Sequence, residues 1–142
     1  MAVEKHLPYN GFAKSERLCS SSLIECLFAK GAKLFVFPFS VRYMLVPTAS
    51  LPQPVQLLVV APKRKLRHAV DRNRVKRLVR ECYRVRKHAL YQAVDASGMR
   101  LLLSIVYVQG APIDFAQMSK KMDKLIDALV AQLEVPHPAE EA

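Results

Sequence analysis

Twelve basic residues crowd into positions 63–87: Lys63, Arg64, Lys65, Arg67, Arg72, Arg74, Lys76, Arg77, Arg80, Arg84, Arg86 and Lys87. Asp71 and Glu81 are the acids among them, so this window carries the whole formal charge of the chain, +10, and the remainder is neutral. A charge that only kept the protein soluble would be spread out; one packed into a single segment points to one polyanionic partner. At helical spacing Arg72, Lys76, Arg80, Arg84 and Lys87 fall on a common face, and Asn73 and Arg77 widen it. Guanidinium forks match phosphate oxygens in pairs, and a helix N-terminus nearby adds a favourable dipole. A merely solvated face would interleave both signs for pairing one turn apart. A membrane-surface helix fits poorly, because the apolar side is small and β-branched.

Chemistry by the protein itself finds little support. His6, His68, His88 and His137 are scattered, although His68 lies in the basic segment and within reach of a phosphate bound there. No carboxylate pair stands near the basic residues, so no catalytic residue and no protein metal site is expected. Cys19, Cys26 and Cys82 form no CxxC pair or zinc spacing, which suits free thiols in a reducing compartment. Charge does not choose between DNA and RNA. The basic segment is flanked by strand-like runs rather than by a second short helix, which argues against a helix-turn-helix reader. Phe28, Phe39 and Tyr43 suit either stacking on unpaired bases or ordinary core packing.

The elements that must position these groups follow from periodicity. The chain has 142 residues, 51% of them apolar, which is one domain able to bury roughly two-thirds of its unfolded surface. No apolar run reaches the roughly 18 residues of a membrane span, and residues 1–18 lack a signal-peptide core. A short helix is expected over 20–30, with a capping box at Ser22 and Glu25 and a stop at Gly31. Alternation over 35–46 reads as a strand with Pro38 near its start, 55–61 as a buried strand, and 62–68 as a basic loop. Apolar positions Val75, Leu78, Val79, Cys82 and Ala89 predict one helix over 69–91. Residues 100–108 read as a third strand, with a fourth short one near 34–37 or in the basic loop. Asp114 caps a last helix to about 133 on a stripe of Phe115, Met118, Met122, Leu125, Ile126 and Leu129. The fold class is α+β: a small mixed sheet with helices packed on it.

The run APKRKLRHAVDRNRVKRLVRECYR resembles the signature of the protein component of bacterial ribonuclease P. That family's pattern is two basic residues after a strand, then Ala, then Arg-Asn-Arg-x-Lys-Arg, two apolar residues and Arg-Glu. It falls here on Lys63, Arg64, Ala69, Arg72, Asn73, Arg74, Lys76, Arg77, Leu78, Val79, Arg80 and Glu81. Arg17-Leu18 leading to Phe28 and Gly31, and the strand-plus-helix C-terminal half, extend the likeness over about 15–133. The resemblance implies a ribosomal-protein-like two-layer sandwich with a left-handed βαβ crossover, occupying 15–134 between an arm (1–14) and a tail (135–142). It implies a cytoplasmic protein, one copy to one RNA, in a ribonucleoprotein that removes the 5′ leader of precursor tRNA. There the RNA subunit catalyses hydrolysis with Mg²⁺ that it holds with the substrate. RNA contacts would come from Lys63, Arg64, Arg67, Arg72, Asn73, Arg74, Lys76, Arg77, Arg80 and Arg84. A leader cleft would be lined by Ile24, Phe28, Phe39 and Tyr43, with Ile24 where the family has an aromatic and Arg67 where many members have Gly. A general structured-RNA binder on the same fold is the alternative.

Overall fold

A computed structural model describes residues 12–134; the expected C-terminal tail and residues 1–11 of the arm lie outside them. The pattern expected as one strand over 35–46 is a hairpin. Strand β1 (Ala32–Val36) and strand β2 (Phe39–Val46) flank a turn with a cis Phe37–Pro38 bond. Pro38 has no amide to offer the ladder, so it sits between strands rather than within one. β1 is thus the fourth strand anticipated near 34–37. Strands β3 (Val55–Val60) and β4 (Arg100–Tyr107) complete the sheet in the order β1-β2-β4-β3. β4 is antiparallel to β2 and parallel to β3. Parallel neighbours need a long crossover, and two helices between β3 and β4 supply it.

Those helices are α2 (Ala69–Arg84) and α3 (Lys87–Ser97), preceded in the chain by α1 (Ser21–Lys30) and followed by α4 (Phe115–Glu134). The single helix expected over 69–91 is therefore corrected to two, with a break at Val85 and Arg86. Its inward residues Val75, Val79 and Tyr83 continue as Lys87, Leu90 and Val94. That spacing of three and four runs unbroken across the bend, so periodicity does not reveal it. Ala89, expected in the stripe, is exposed beyond the bend. α3 runs on to Gly98, which ends it in the left-handed region at φ 75°.

The cap of α1 is Ser20, whose Oγ accepts from the Leu23 amide at 3.4 Å, and not Ser22 as expected. Gly31 ends the helix by close packing: a Cβ there would lie 2.4 Å from the Leu27 carbonyl oxygen. Asp114 caps α4 as expected, its Oδ1 accepting from the Gln117 amide at 2.8 Å. Phe115, placed in the buried stripe, is instead half exposed, since it opens the helix ahead of the first inward turn.

Strand alternation assigns the two sheet faces. Phe39, Val41 and Tyr43 of β2, with Leu101, Leu103, Ile105 and Tyr107 of β4, meet the helices α2, α3 and α4 in the main core. The opposite face carries Val46 and Leu102, which pack with Leu18, Leu27 and Leu51 under α1. The α+β sandwich is as expected, with α1 adding a partial layer on the second face. Among the described residues no helix is long and apolar enough to cross a membrane.

Candidate nucleic-acid interface

α2 exists because Val75, Val79, Cys82 and Tyr83 bury completely against the sheet and α4, and that orientation fixes where its charged residues point. Asn73, Lys76, Arg77, Arg80, Glu81 and Arg84 lie at spacings of three and four on its outer side. They form one wall of an open groove of about 410 Å³. Burial first, and then the positive charge of Arg17, depress the pKa of Arg80, so two guanidinium groups share this space. Glu81 is the acidic member of the lining, and Arg84 grips it with Nε at 2.9 Å and Nη2 at 2.7 Å. Their hydrogen bonds hold Glu81 below its usual pKa and Arg84 above its own.

The other basic residues diverge. Arg74 is exposed on α2 outside the groove lining, and Lys63, Arg64 and Arg67 are exposed in the β3–α2 connection. Arg72 turns back on that connection, its Nη1 donating to the carbonyls of Leu66 and Arg67 at 2.9 Å each. It thereby shapes the loop that leads into the helix. Arg86 is engaged with Asp123 of α4. Lys87, expected on the basic face, is corrected to a core residue: its side chain is 1% exposed and its Nζ lies 2.5 Å from Glu16 Oε1. It lies four residues after Tyr83, in the inward row that continues across the bend.

The second wall of the groove comes from the N-terminal segment, of which residues 12–14 belong to the expected arm and 15–18 to the expected domain. A 3-10 turn at Lys14–Glu16 leads into Arg17, which bridges Leu57 of β3 in parallel, and the Leu18 amide donates to the Leu57 carbonyl at 2.9 Å. Glu16 points inward and is 2% exposed. It accepts from Lys87 Nζ, from the Tyr91 hydroxyl and, at 2.8 Å, from the Ala13 amide. Burial pushes this carboxyl up, and those bonds outweigh it and hold the group below the usual carboxylate value. Burial, with the neighbouring charge, raises the Tyr91 phenol far above its ordinary range. Phe12 packs edge-on against Tyr83 at 5.9 Å, and the Arg17 guanidinium lies 5.4 Å over the Phe12 ring. Phe12 and Arg17 both line the groove. Their sequence signal was weak: one acid among polar residues gives no hint that its partner lies 71 positions away.

On the other sheet face, α1 packs against β2 and β4. Phe28 is 37% exposed there, and the Arg42 guanidinium lies 5.7 Å over its ring while donating to the Phe28 carbonyl. Ile24, on α1, is half-buried beside the core beneath the helix. Phe39 and Tyr43 do not join them, which corrects two of the four expected cleft residues. Phe39 is 0% exposed in the core on the opposite face, and Tyr43 is buried there too, its hydroxyl donating to Gln132 of α4 at 3.3 Å. Strand parity is the reason: residues 39, 41 and 43 share one face, so Ser40 and Arg42 share the one toward α1. The signal for Arg42 was present in that same alternation.

A family model described as Ribonuclease P matches residues 12–130. The chain is similar to the ribonuclease P protein component of Porphyromonas gingivalis, 37% identical over 117 residues, covering 82% of this chain and 85% of that one. The ribonuclease P protein component of Chlorobium phaeobacteroides is 33% identical over 115 residues, covering 76% of this chain and 79% of that one. In fold, the Staphylococcus aureus RNase P protein superposes with a TM-score of 0.64 at 17% identity, covering 81% of this chain and 95% of that one. The RNase P protein from Thermotoga maritima gives 0.62 at 20% identity, covering 80% and 96%. A family match over residues 12–130, with relatives of this identity and coverage, makes the chain a member of the ribonuclease P protein family.

Proposed function

We propose that this chain is the protein subunit of a ribonuclease P holoenzyme, pairing one to one with RNase P RNA and promoting removal of the 5′ leader from precursor tRNA in the cytoplasm. The observation that carries the reading is the groove in which Lys76, Arg77 and Arg80 of α2 are joined by Arg17 of the N-terminal segment, four cations on one open concave surface. It screens phosphate repulsion between two folded RNAs by placing fixed cations between them. The α1–β2 surface suits single-stranded RNA: Phe28 offers a partly exposed ring for stacking and Arg42 a cation beside it. It is the better place for the leader.

Hydrolysis belongs, on this reading, to the RNA subunit, where Mg²⁺ activates the attacking water when bound. Among the described residues no group of three or more His, Cys, Asp or Glu is placed to hold a metal ion. This chain's part is to bind and to orient. The test is reconstitution with the RNase P RNA of the same genome and a precursor-tRNA cleavage assay at low Mg²⁺. Stimulation over RNA alone is expected. An unchanged rate, or equal affinity for unrelated structured RNAs without any effect of leader length, overturns the reading.

A further inference from the structure

Arg17 sits apart from the basic run in sequence and across from it in space. Its neighbours hold it in place from both sides. Glu16 is locked inward by Lys87 and Tyr91, and Leu18 is 2% exposed and hydrogen-bonded to β3. With Glu16 buried at the end of the 3-10 turn and Leu18 buried against β3, the extended Arg17 between them is exposed. Phe12 then supports its guanidinium from beneath, and Tyr83 supports Phe12. The result is a cation held in advance against another cation, Arg80, at the cost of their mutual repulsion. Glu81, the acid of the lining, is already engaged by Arg84. An anion between the walls would relieve that repulsion, and a phosphodiester has two free oxygens, one for each guanidinium.

We propose that Arg17 and Arg80 form a two-sided clamp for a single RNA phosphate, with the buried Glu16–Lys87–Tyr91 cluster as the device that presets its spacing. This rests on the reading of α2 as an RNA-binding face. A helix alone would grip a backbone from one side; the second wall fixes where along the strand a phosphate stops.

The experiment is a salt titration of RNA affinity. The full chain and its Arg17→Ala, Arg80→Ala, Arg77→Ala and Arg17→Lys variants are titrated with RNase P RNA alone, then as holoenzyme with precursor tRNA. Arg17→Ala should weaken binding roughly tenfold and lower the slope of log affinity against log salt by part of the roughly 0.7–0.9 of one phosphate, since Arg80 still faces it. Its urea unfolding midpoint should not move, which a structural role would not allow. Arg17→Lys should restore the slope without the full affinity, since an ammonium keeps the charge and loses the fork. Because both guanidiniums serve one phosphate, Arg17→Ala with Arg80→Ala should cost clearly less than the product of the two single losses. A loss in the first titration assigns the phosphate to the RNA subunit; a loss confined to the second assigns it to precursor tRNA; either supports the clamp. Slopes unchanged in both, or multiplicative losses in the double variant, overturn it. If Arg77→Ala lowers the slope and Arg17→Ala does not, the clamp alone fails. If both are flat, the RNA-binding reading of α2 fails as well.

Discussion

Breaking the Glu16–Lys87 pair should cost far more than replacing it. The two side chains are 3% and 1% exposed, and their charged atoms are 2.5 Å apart. At an effective dielectric of 20 that separation corresponds to an attraction of about 7 kcal/mol. The opposing desolvation is several kcal/mol for each ion, so the pair comes close to breaking even. Removing one partner leaves the other with its desolvation and without its counter-charge, a loss of about 3–5 kcal/mol. Lys87→Met should fall at the lower end, because Glu16 keeps its bonds from Tyr91 and the Ala13 amide. Glu16→Gln leaves an ammonium buried and should cost more. Glu16→Gln combined with Lys87→Met removes both charges; the Gln oxygen accepts from the Ala13 amide and its NH2 donates to the Tyr91 hydroxyl oxygen, so stability should return to within about 1 kcal/mol of the parent. Urea unfolding followed by far-ultraviolet circular dichroism reads this directly. With slopes of roughly 1–3 kcal/mol per molar, each single variant should lose at least about 1 M in midpoint. Single variants as stable as the parent, or a double variant as unstable as the sum, would refute the reasoning.

The same carboxylate gives a pH dependence. Its folded pKa lies below the ordinary 4.5, so the unfolded chain takes up this proton first. The stabilisation is complete above about pH 4.5 and is lost as pH falls through the lowered value. Stability measured from pH 6 to about 3 should therefore fall more steeply in the parent than in the Glu16→Gln, Lys87→Met double variant, and equal slopes would contradict it. Phe39→Ala should cost about 3–5 kcal/mol of stability, as a fully buried ring. Phe28→Ala should leave the unfolding midpoint within roughly 1 kcal/mol, because its ring is 37% exposed, and should reduce discrimination by leader length in holoenzyme assays. The reverse pattern would put the leader on the wrong sheet face. Gly31→Ala should lower the melting temperature measurably, since its Cβ meets the Leu27 carbonyl at 2.4 Å and the Leu27 side chain at 2.9 Å. An unchanged melting temperature would show that the end of α1 shifts freely.

Local patterns made much of this architecture legible. The run of β-branched and aromatic residues at 39–46, the apolar β4 and the Asp114 cap each carry their signal within a few residues of where it acts. The charged face of α2 was equally plain, since one sign of charge at helical spacing needs no tertiary information. What escaped was set at long range. The bend after α2 is silent because inward residues keep the same spacing across it. Lys87 looks like one more cation until Glu16 reaches it from the far end of the chain. Phe39 and Tyr43 were placed by their chemistry as aromatics. The pleat decided otherwise, and it turned Arg42 toward α1 in their stead.

Strand β4 lies between β2 and β3 but is made after both. During synthesis, at roughly 5–20 residues per second, the hairpin and β3 leave the ribosome as two edges with nothing between them. The gap closes only once residues 100–107 have emerged. Until then the apolar flanks of Val41, Leu57 and Val59 lack the neighbour that will cover them. A nascent chain stalled with residues 100–107 still inside the ribosome would therefore be an aggregation-prone client for chaperones, whereas one stalled after they have emerged would already have a closed sheet.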